Sequence, residues 1–206
     1  MWRIRAEHLD LLFSGRFNNF EVRMFRDTQV IHIAPYDPRW PDRFLNERNQ
    51  LLSCPDCPFL EIEHIGSTSV PGLVAKPVID LMASATLLEE VEAFLPQLKK
   101  LGYQPLDGGF RRRRSFGRSA NEGSEAYNLH IVPACQWADK DERLFRDWLC
   151  SHPSVVQEYA ALKKELAAMN LPTIADYTDA KGEFIRSEIQ KARAAFGKPR
   201  RTDWRE

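Results

Sequence analysis

No charge of one sign dominates this sequence. Its 206 residues hold 29 Lys and Arg against 29 Asp and Glu, for a formal net charge of zero. A protein that coats nucleic acid carries a basic surplus. The balance therefore gives no reason to expect nucleic acid as a partner, although local arginine clusters can still bind anions. No apolar run approaches the ~18 residues of a membrane span. The opening Met1-Trp2-Arg3-Ile4-Arg5-Ala6-Glu7 is too charged for a signal peptide. The expectation is a cytoplasmic protein with no membrane partner. Internal repeats and low-complexity linkers are absent too, which excludes solenoids and tethered arrays. Composition carries no signal for an oligomeric state. Cysteine is scarce: Cys54, Cys57, Cys135 and Cys150. Cys54-Pro55-Asp56-Cys57 has a spacing that suits zinc or redox chemistry. It has no second CxxC and no histidine pair to match it, so free thiols in a surface turn are the favoured reading.

One stretch organises the chain. Ile62-Glu63-His64-Ile65 alternates like a strand, and Gly66-Ser67-Thr68-Ser69 then breaks it with small hydroxylated residues. Val78-Ile79-Asp80-Leu81-Met82 follows as a second apolar run carrying one carboxylate. Gly66 lets a backbone approach a ligand closely. Ser67, Thr68 and Ser69 offer hydroxyls, and their N–H groups suit an anion. A carboxylate placed like Asp80 is costly to bury unless a cation meets it. That cation is either a metal ion or a partner such as Lys76 or an arginine.

The rest reads as mixed strands first and helices last. Residues 1–28 mix aromatic, basic and apolar side chains, with a strand-like alternation over Phe20–Met24. Val30–Ile33 is a short strand candidate. Asp37 caps a helix with Pro38 at its first position, and an apolar stripe runs from Trp40 to Leu52. Leu87–Leu101 is amphipathic and stops at Gly102. Tyr103–Leu106, Phe110–Phe116 and Tyr127–Val132 are strands, with turns at Gly108-Gly109 and Asn121–Ser124. Helices follow over Asp139–Leu149, Pro153–Ala168 and Ile174–Phe196, and a charged tail, 198–206, frays. The fold class is α+β: a mixed sheet flanked by helices, with a C-terminal helical cap.

Four further features carry candidate chemistry. His64 shares a strand face with Gly66, so it either points into the same site or orients the turn. Lys76 either meets a phosphate at the site mouth or pairs with Asp80. In Arg111-Arg112-Arg113-Arg114-Ser115-Phe116-Gly117-Arg118, a strand puts Arg114, Phe116 and Arg118 on one face and leaves Arg111 and Arg113 solvated. Guanidinium groups grip phosphates bidentately, which makes Arg114 and Arg118 phosphate clamps. Tyr177 and Lys181 lie four apart on one helix face, and either close over a ligand or pin the cap.

The run Glu63-His64-Ile65-Gly66-Ser67-Thr68-Ser69-Val70-Pro71-Gly72-Leu73, then Ala75-Lys76-Pro77-Val78-Ile79-Asp80-Leu81, resembles the GrpB (UPF0157) family of the nucleotidyltransferase superfamily. Tyr36-Asp37-Pro38-Arg39-Trp40-Pro41 matches the family's opening, Arg114–Arg118 its basic-x-Phe-x-basic motif, and Tyr177-x-x-x-Lys181-x-x-Phe184-Ile185 its close. The resemblance implies a nucleotidyltransferase-like domain over 29–197. It implies a nucleotide or similar phosphorylated ligand on Gly66–Ser69 and a divalent metal, Mg²⁺ or Mn²⁺, on Asp80. His130, in Asn128-Leu129-His130-Ile131-Val132, stands on the strand that carries a third carboxylate in the superfamily. It is thus a candidate metal ligand or general base, and His64 a third metal candidate. Met82 occupies the place of the second carboxylate, which departs from two-metal chemistry. The implied activity is nucleotidyl transfer; the alternative is a non-catalytic module that binds a nucleotide or a coenzyme A precursor, since some relatives are fused to dephospho-coenzyme A kinase.

Overall fold

Alternating apolar residues in the middle of the chain build one sheet, and its two faces are then covered by different parts of the sequence. The computed structural model describes residues 32–106, 112–120, 125–169, 171 and 173–204, with backbone alone for 174 and 175. The N-terminal addition 1–28, residues 30 and 31, the Gly108-Gly109 turn, Arg111 and the Asn121–Ser124 turn lie outside these residues; of the strand expected over Val30–Ile33, the described His32 and Ile33 are not in a strand.

The strands are β1 (Phe59–Ile65), β2 (Val78–Ala85), β3 (Gln104–Pro105), β4 (Arg114–Arg118) and β5 (Ala126–Pro133). They form one sheet in the order β1-β2-β5-β4-β3. β2 and β5 run parallel, and the other neighbours are antiparallel. Helices α1 (Trp40–Leu52) and α2 (Leu88–Lys100) cover one face. Their Trp40, Leu51, Val91, Phe94 and Leu98 pack on Ile62, Leu81, Leu129 and Phe116 in the main core. The other face receives α3 (Asp141–Ser151), α4 (Pro153–Ala168), α5 (Ile174–Ala180) and α6 (Gly182–Ala195). The chain is thus α+β, with a five-stranded mixed sheet flanked by helices and a C-terminal helical cap. Among the described residues, no helix is long and apolar enough to cross a membrane.

Local chemistry sets the boundaries. Asp37 does not cap α1. Its carboxylate accepts from the Arg39 backbone N–H at 2.9 Å and from the Arg39 guanidinium, so Pro38 and Arg39 form a turn and the helix begins at Trp40. Glu90 accepts from the Leu87 N–H at 3.3 Å, and Gly102, with φ +85°, ends the chain's departure from α2. The single helix expected over Ile174–Phe196 is two. Lys181 sits between them, ending α5 and serving as the N-cap of α6, where its carbonyl accepts from the Ile185 N–H at 3.0 Å.

The tail also differs from its expected fraying. Gln190 donates to the Arg201 carbonyl at 2.6 Å and accepts from the Arg201 N–H at 3.2 Å. Arg193 donates to the Pro199 carbonyl at 2.6 Å, and Arg201 pairs with Asp141 at 3.2 Å. The charges that suggested a solvated end are the groups that anchor it.

Strand register decides which face each polar side chain takes, because opposed residues share a face and neighbours alternate. Arg114, Phe116 and Arg118 lie opposite Ile131, Leu129 and Tyr127, so they point towards α1 and α2. There Arg114 pairs with Glu92 at 2.9 Å at the surface. Arg118 pairs with Glu47 at 2.5 Å, donates to the Leu101 carbonyl at 3.1 Å and lies over the Tyr103 and Tyr127 rings. Glu47 is buried, and the Tyr103 hydroxyl donates to its other oxygen at 3.0 Å. Replacing Arg118 by alanine strands that buried carboxylate. Arg118→Ala should cost about 3–5 kcal/mol in a denaturant melt, the usual cost of breaking a buried pair. Arg114→Ala, at a solvent-exposed pair, should cost under about 1 kcal/mol.

Candidate functional site

Asp80 leaves the sheet on the face opposite Arg114 and Arg118. It is opposed by Ile65 on β1 and Asn128 on β5, and the Asn128 side-chain amide donates to its Oδ1 at 2.8 Å. Its other oxygen lies against Gly66. A Cβ on Gly66 would stand 2.3 Å from Asp80 Oδ2, and Gly66 has φ +71°. The glycine is therefore required first by the carboxylate packed on it, and by its own backbone geometry. Asp80 keeps part of its surface open to a cavity but is crowded by protein elsewhere. Burial pushes its pKa up to about 6, against the opposing pull of Asn128, Lys181 and Lys76.

The hydroxyls of the Ser67–Ser69 turn divide by role. Ser69 Oγ donates to the Gly66 carbonyl at 2.6 Å. Thr68 Oγ1 donates to the Val78 carbonyl at 3.0 Å and lies 3.0 Å from His64 Nε2. With the threonine proton committed to Val78, His64 Nε2 is the donor in that pair. Ser67 alone of the three lines the cavity, with Tyr159 also in the lining. Thr68 and Ser69 thus hold the turn and do not face a ligand.

The three residues proposed for metal are not brought together. His64 is opposed by Leu81 and stacks on Phe44 with ring centroids 4.9 Å apart, which places it on the α1 side of the sheet. Its expected alignment with Gly66 fails because the strand ends at Ile65 and the turn changes direction. Burial and the nearby Arg146 push its pKa down to about 4, so it stays neutral and orients the turn through Thr68. His130 is on the Asp80 side, opposed by Met82 and by Ser115, whose hydroxyl is 3.1 Å from Nδ1. Burial and the Arg113 guanidinium push its pKa down. A neutral imidazole of that kind is a weak general base. Met82 is fully buried with Ile65, Val132 and Trp137. An apolar cluster therefore fills the place of the second carboxylate. Among the described residues, no three His, Cys, Asp or Glu side chains converge to hold a metal. The donors do not fit a two-ion centre.

Between the sheet and the cap lies a cavity of about 480 Å³. Asp80, Gly66 and Ser67 line one end; His130, Arg113, Glu142 and Arg146 contribute polar groups, and Phe145, Leu149, Ile185 and Ile189 an apolar wall. Arg113, expected to be solvated, instead points to this side and pairs with Glu142 of α3. Arg146 pairs with Glu63 at 2.7 Å and donates to the His64 carbonyl at 2.8 Å, tying α3 to β1.

Lys181 of the cap is near enough to Asp80 for their charges to interact, and Lys163 is near enough to Lys181. Lys181 lies over the Tyr177 ring, 4.1 Å from its centroid. Lys163 lies over the Tyr159 ring at 4.6 Å and donates to the Val74 carbonyl. Burial, with Lys76 adding repulsion and Asp80 opposing, brings the Lys181 pKa down to about 8. Burial and Lys181 bring Lys163 down to about 7. Lys163 and Tyr159 were not singled out from the sequence. The signal was there: Tyr159-x-x-x-Lys163 repeats Tyr177-x-x-x-Lys181, and each lysine folds back over the tyrosine one turn earlier. Tyr177 itself is buried, and burial lifts its pKa to about 12.

Fold and site together define an α+β protein with one mixed sheet, a Gly-Ser turn packed on a strand-borne carboxylate, and a lysine-rich helical cap over it. Within that class the chain belongs to the GrpB family, whose sequence model, described as GrpB protein, matches residues 30–191. It is 34% identical over 164 residues to UPF0157 protein YqkA of Bacillus subtilis, covering 79% of this chain but 47% of that protein, so it spans about half that relative's length. It is 34% identical over 176 residues to UPF0157 protein PA4798 of Pseudomonas aeruginosa, covering 84% of this chain and 72% of that one. A dephospho-CoA kinase of Mycobacterium bovis is 27% identical over 188 residues, 78% of this chain and 45% of that protein. Among solved structures, conserved protein GrpB from Enterococcus faecalis superposes with a TM-score of 0.72 at 28% identity, covering 81% of this chain and 100% of that chain.

Two expectations follow from Asp80. Its carboxyl takes up a proton more readily folded than unfolded, so its contribution to stability is full below pH 3.8 and is lost as pH rises through about 6. His64 and His130 act in the opposite sense over this range, because their folded forms resist protonation. Comparing Asp80→Asn with wild type isolates the carboxyl. The variant should gain stability relative to wild type as pH rises from about 4 to 7, by up to about 3 kcal/mol. Gly66→Ala should destabilise by about 1–3 kcal/mol, and part of that loss should vanish in an Asp80→Ala background, where the clashing carboxylate is gone. A fully additive double variant in the same denaturant melts would show that Asp80 does not press on Gly66.

Proposed function

We propose that the cavity between sheet and cap binds a nucleotide or similar phosphorylated small molecule. The observation that carries this reading is a cavity lined by Ser67 and Asp80, with Lys181 and Lys76 near enough to Asp80, and Lys163 near enough to Lys181, for their charges to interact. Cations whose pKa values are held down by burial and by each other gain most from an added anion. A phosphate beside Lys181 and Lys163 restores their charge and offsets their desolvation. Ser67 supplies a hydroxyl to the same group, and the apolar wall takes the remainder of the ligand. Arg114 and Arg118 have no part in it, since they face the other side of the sheet.

Asp80 repels a phosphate unless a proton or cation stands between them. Lys181 is one such cation. A single Mg²⁺ or Mn²⁺ shared by Asp80 and ligand phosphates is the one metal arrangement the donors leave room for, because Mg²⁺ is commonly held by one or two carboxylates plus phosphate oxygens. Such an ion would supply charge neutralisation for nucleotidyl transfer. The buried Met82 favours the binding module over the two-ion transferase. Coenzyme A precursors join the nucleotides as ligands to test, since the mycobacterial relative is a dephospho-CoA kinase.

Ligand binding to the folded state raises the melting temperature by mass action. ATP and dephospho-coenzyme A should each be tested with chelator and with Mn²⁺. A shift that persists with chelator supports the binding module, and one that requires Mn²⁺ supports the transferase. Lys181→Ala should reduce affinity roughly tenfold or more, about the effect of one charged hydrogen bond. Affinity should also fall from pH 7 to 9 as Lys163 and then Lys181 lose their protons, with proton uptake on binding visible by calorimetry in two buffers. Equal affinity at both pH values would contradict the lysine site.

A further inference from the structure

We infer that the C-terminal strap, residues 198–204, supplies a ligand-selecting wall of this cavity, with Trp204 as the surface on which a flat aromatic group of the ligand stacks. This rests on the reading of the cavity as a phosphorylated-ligand site. Arg201 and Trp204 both line the cavity, together with Ile185 and Ile189 of α6. Trp204 is 38% exposed, although the strap that carries it is held down over several residues. The Pro199 carbonyl accepts from Arg193, and both backbone groups of Arg201 bond to Gln190. Arg201 also pairs with Asp141 and donates to the Asp203 carbonyl at 2.7 Å, which fixes the approach to Trp204. Asp141 is followed by Glu142, the partner of Arg113 beside His130, so strap and polar floor are set by adjacent residues of α3.

A large, half-exposed indole on an anchored segment at the apolar side of the cavity is suited to stacking. Base–aromatic stacking accepts any nucleobase, because each has a π-face. The lysines at the Asp80 end would hold phosphate, and the indole would hold the planar end. The family-wide match stops at residue 191, before the strap. The strap therefore lies outside the part of the chain that the family model covers.

The test compares ATP with inorganic triphosphate on wild type, Trp204→Ala and Trp204→Phe by calorimetry. Wild type should bind ATP more tightly than triphosphate. Trp204→Ala should lose roughly 5- to 100-fold in ATP affinity, the range for removing one stacking partner, while keeping its triphosphate affinity. Trp204→Phe should recover most of the loss. Unchanged ATP affinity in Trp204→Ala would overturn the stacking role and leave the cavity reading intact. Loss of both ligands together would also overturn it, marking Trp204 as a structural prop. Binding of neither ligand to wild type would overturn the cavity reading, and the stacking role with it.

Discussion

The contact on which the site depends is a carboxylate pressed against a glycine. Asp80 can stand where it does because Gly66 has no side chain, and the turn can leave β1 at φ +71° for the same reason. Asn128 holds one oxygen from the neighbouring parallel strand. The remaining demand for positive charge is met by Lys181 from the cap and by Lys76 from the segment that leads into β2. A central strand, a turn and a helical layer assembled from distant parts of the chain are tied to one ionisable group.

The sheet separates two kinds of polar chemistry. On the α1–α2 side, Glu47 is held by Arg118 and the Tyr103 hydroxyl, and Arg118 lies over the Tyr127 ring. On the cap side, Asp80, Ser67, Arg113 and His130 open onto a cavity. Strand alternation alone produces this division, since Arg113 and Arg114 are adjacent yet belong to opposite sides. The ion pairs linking α3 to β1, Arg143 and Arg146 to Glu63, then fix the height of the cap above the sheet.

Much of the fold was legible from the sequence because it follows from short-range pattern. The Gly66–Ser69 turn between two apolar runs, the amphipathic α2 ending at Gly102 and the Pro153 start of α4 needed only local chemistry. The site was legible in part. Asp80 and Ser67 line the cavity, and Lys181 is near enough to Asp80 to interact with its charge. Arg114 and Arg118 were assigned to the ligand because their alternation was read correctly, but which face met the cap depends on the pairing of β4 with β5. His64 misled for a related reason, as period-two reasoning stops where the strand gives way to a turn. Lys163 and Trp204 were out of reach of strand logic. Trp204 reaches the cavity, and Lys163 the neighbourhood of Lys181, only once the strap and α4 fold back over the sheet, and nothing local marks that return beyond the repeated Tyr-x-x-x-Lys spacing.

The central claim is that the cap side of the sheet, and not its arginine-bearing side, is where a phosphorylated ligand sits. A crystal structure of the protein grown with a non-hydrolysable ATP analogue tests this most directly. The account predicts phosphate density between Ser67, Asp80 and Lys181, under the helical cap. Phosphate density against Arg114 and Arg118, with the cavity at Asp80 unchanged, would contradict it.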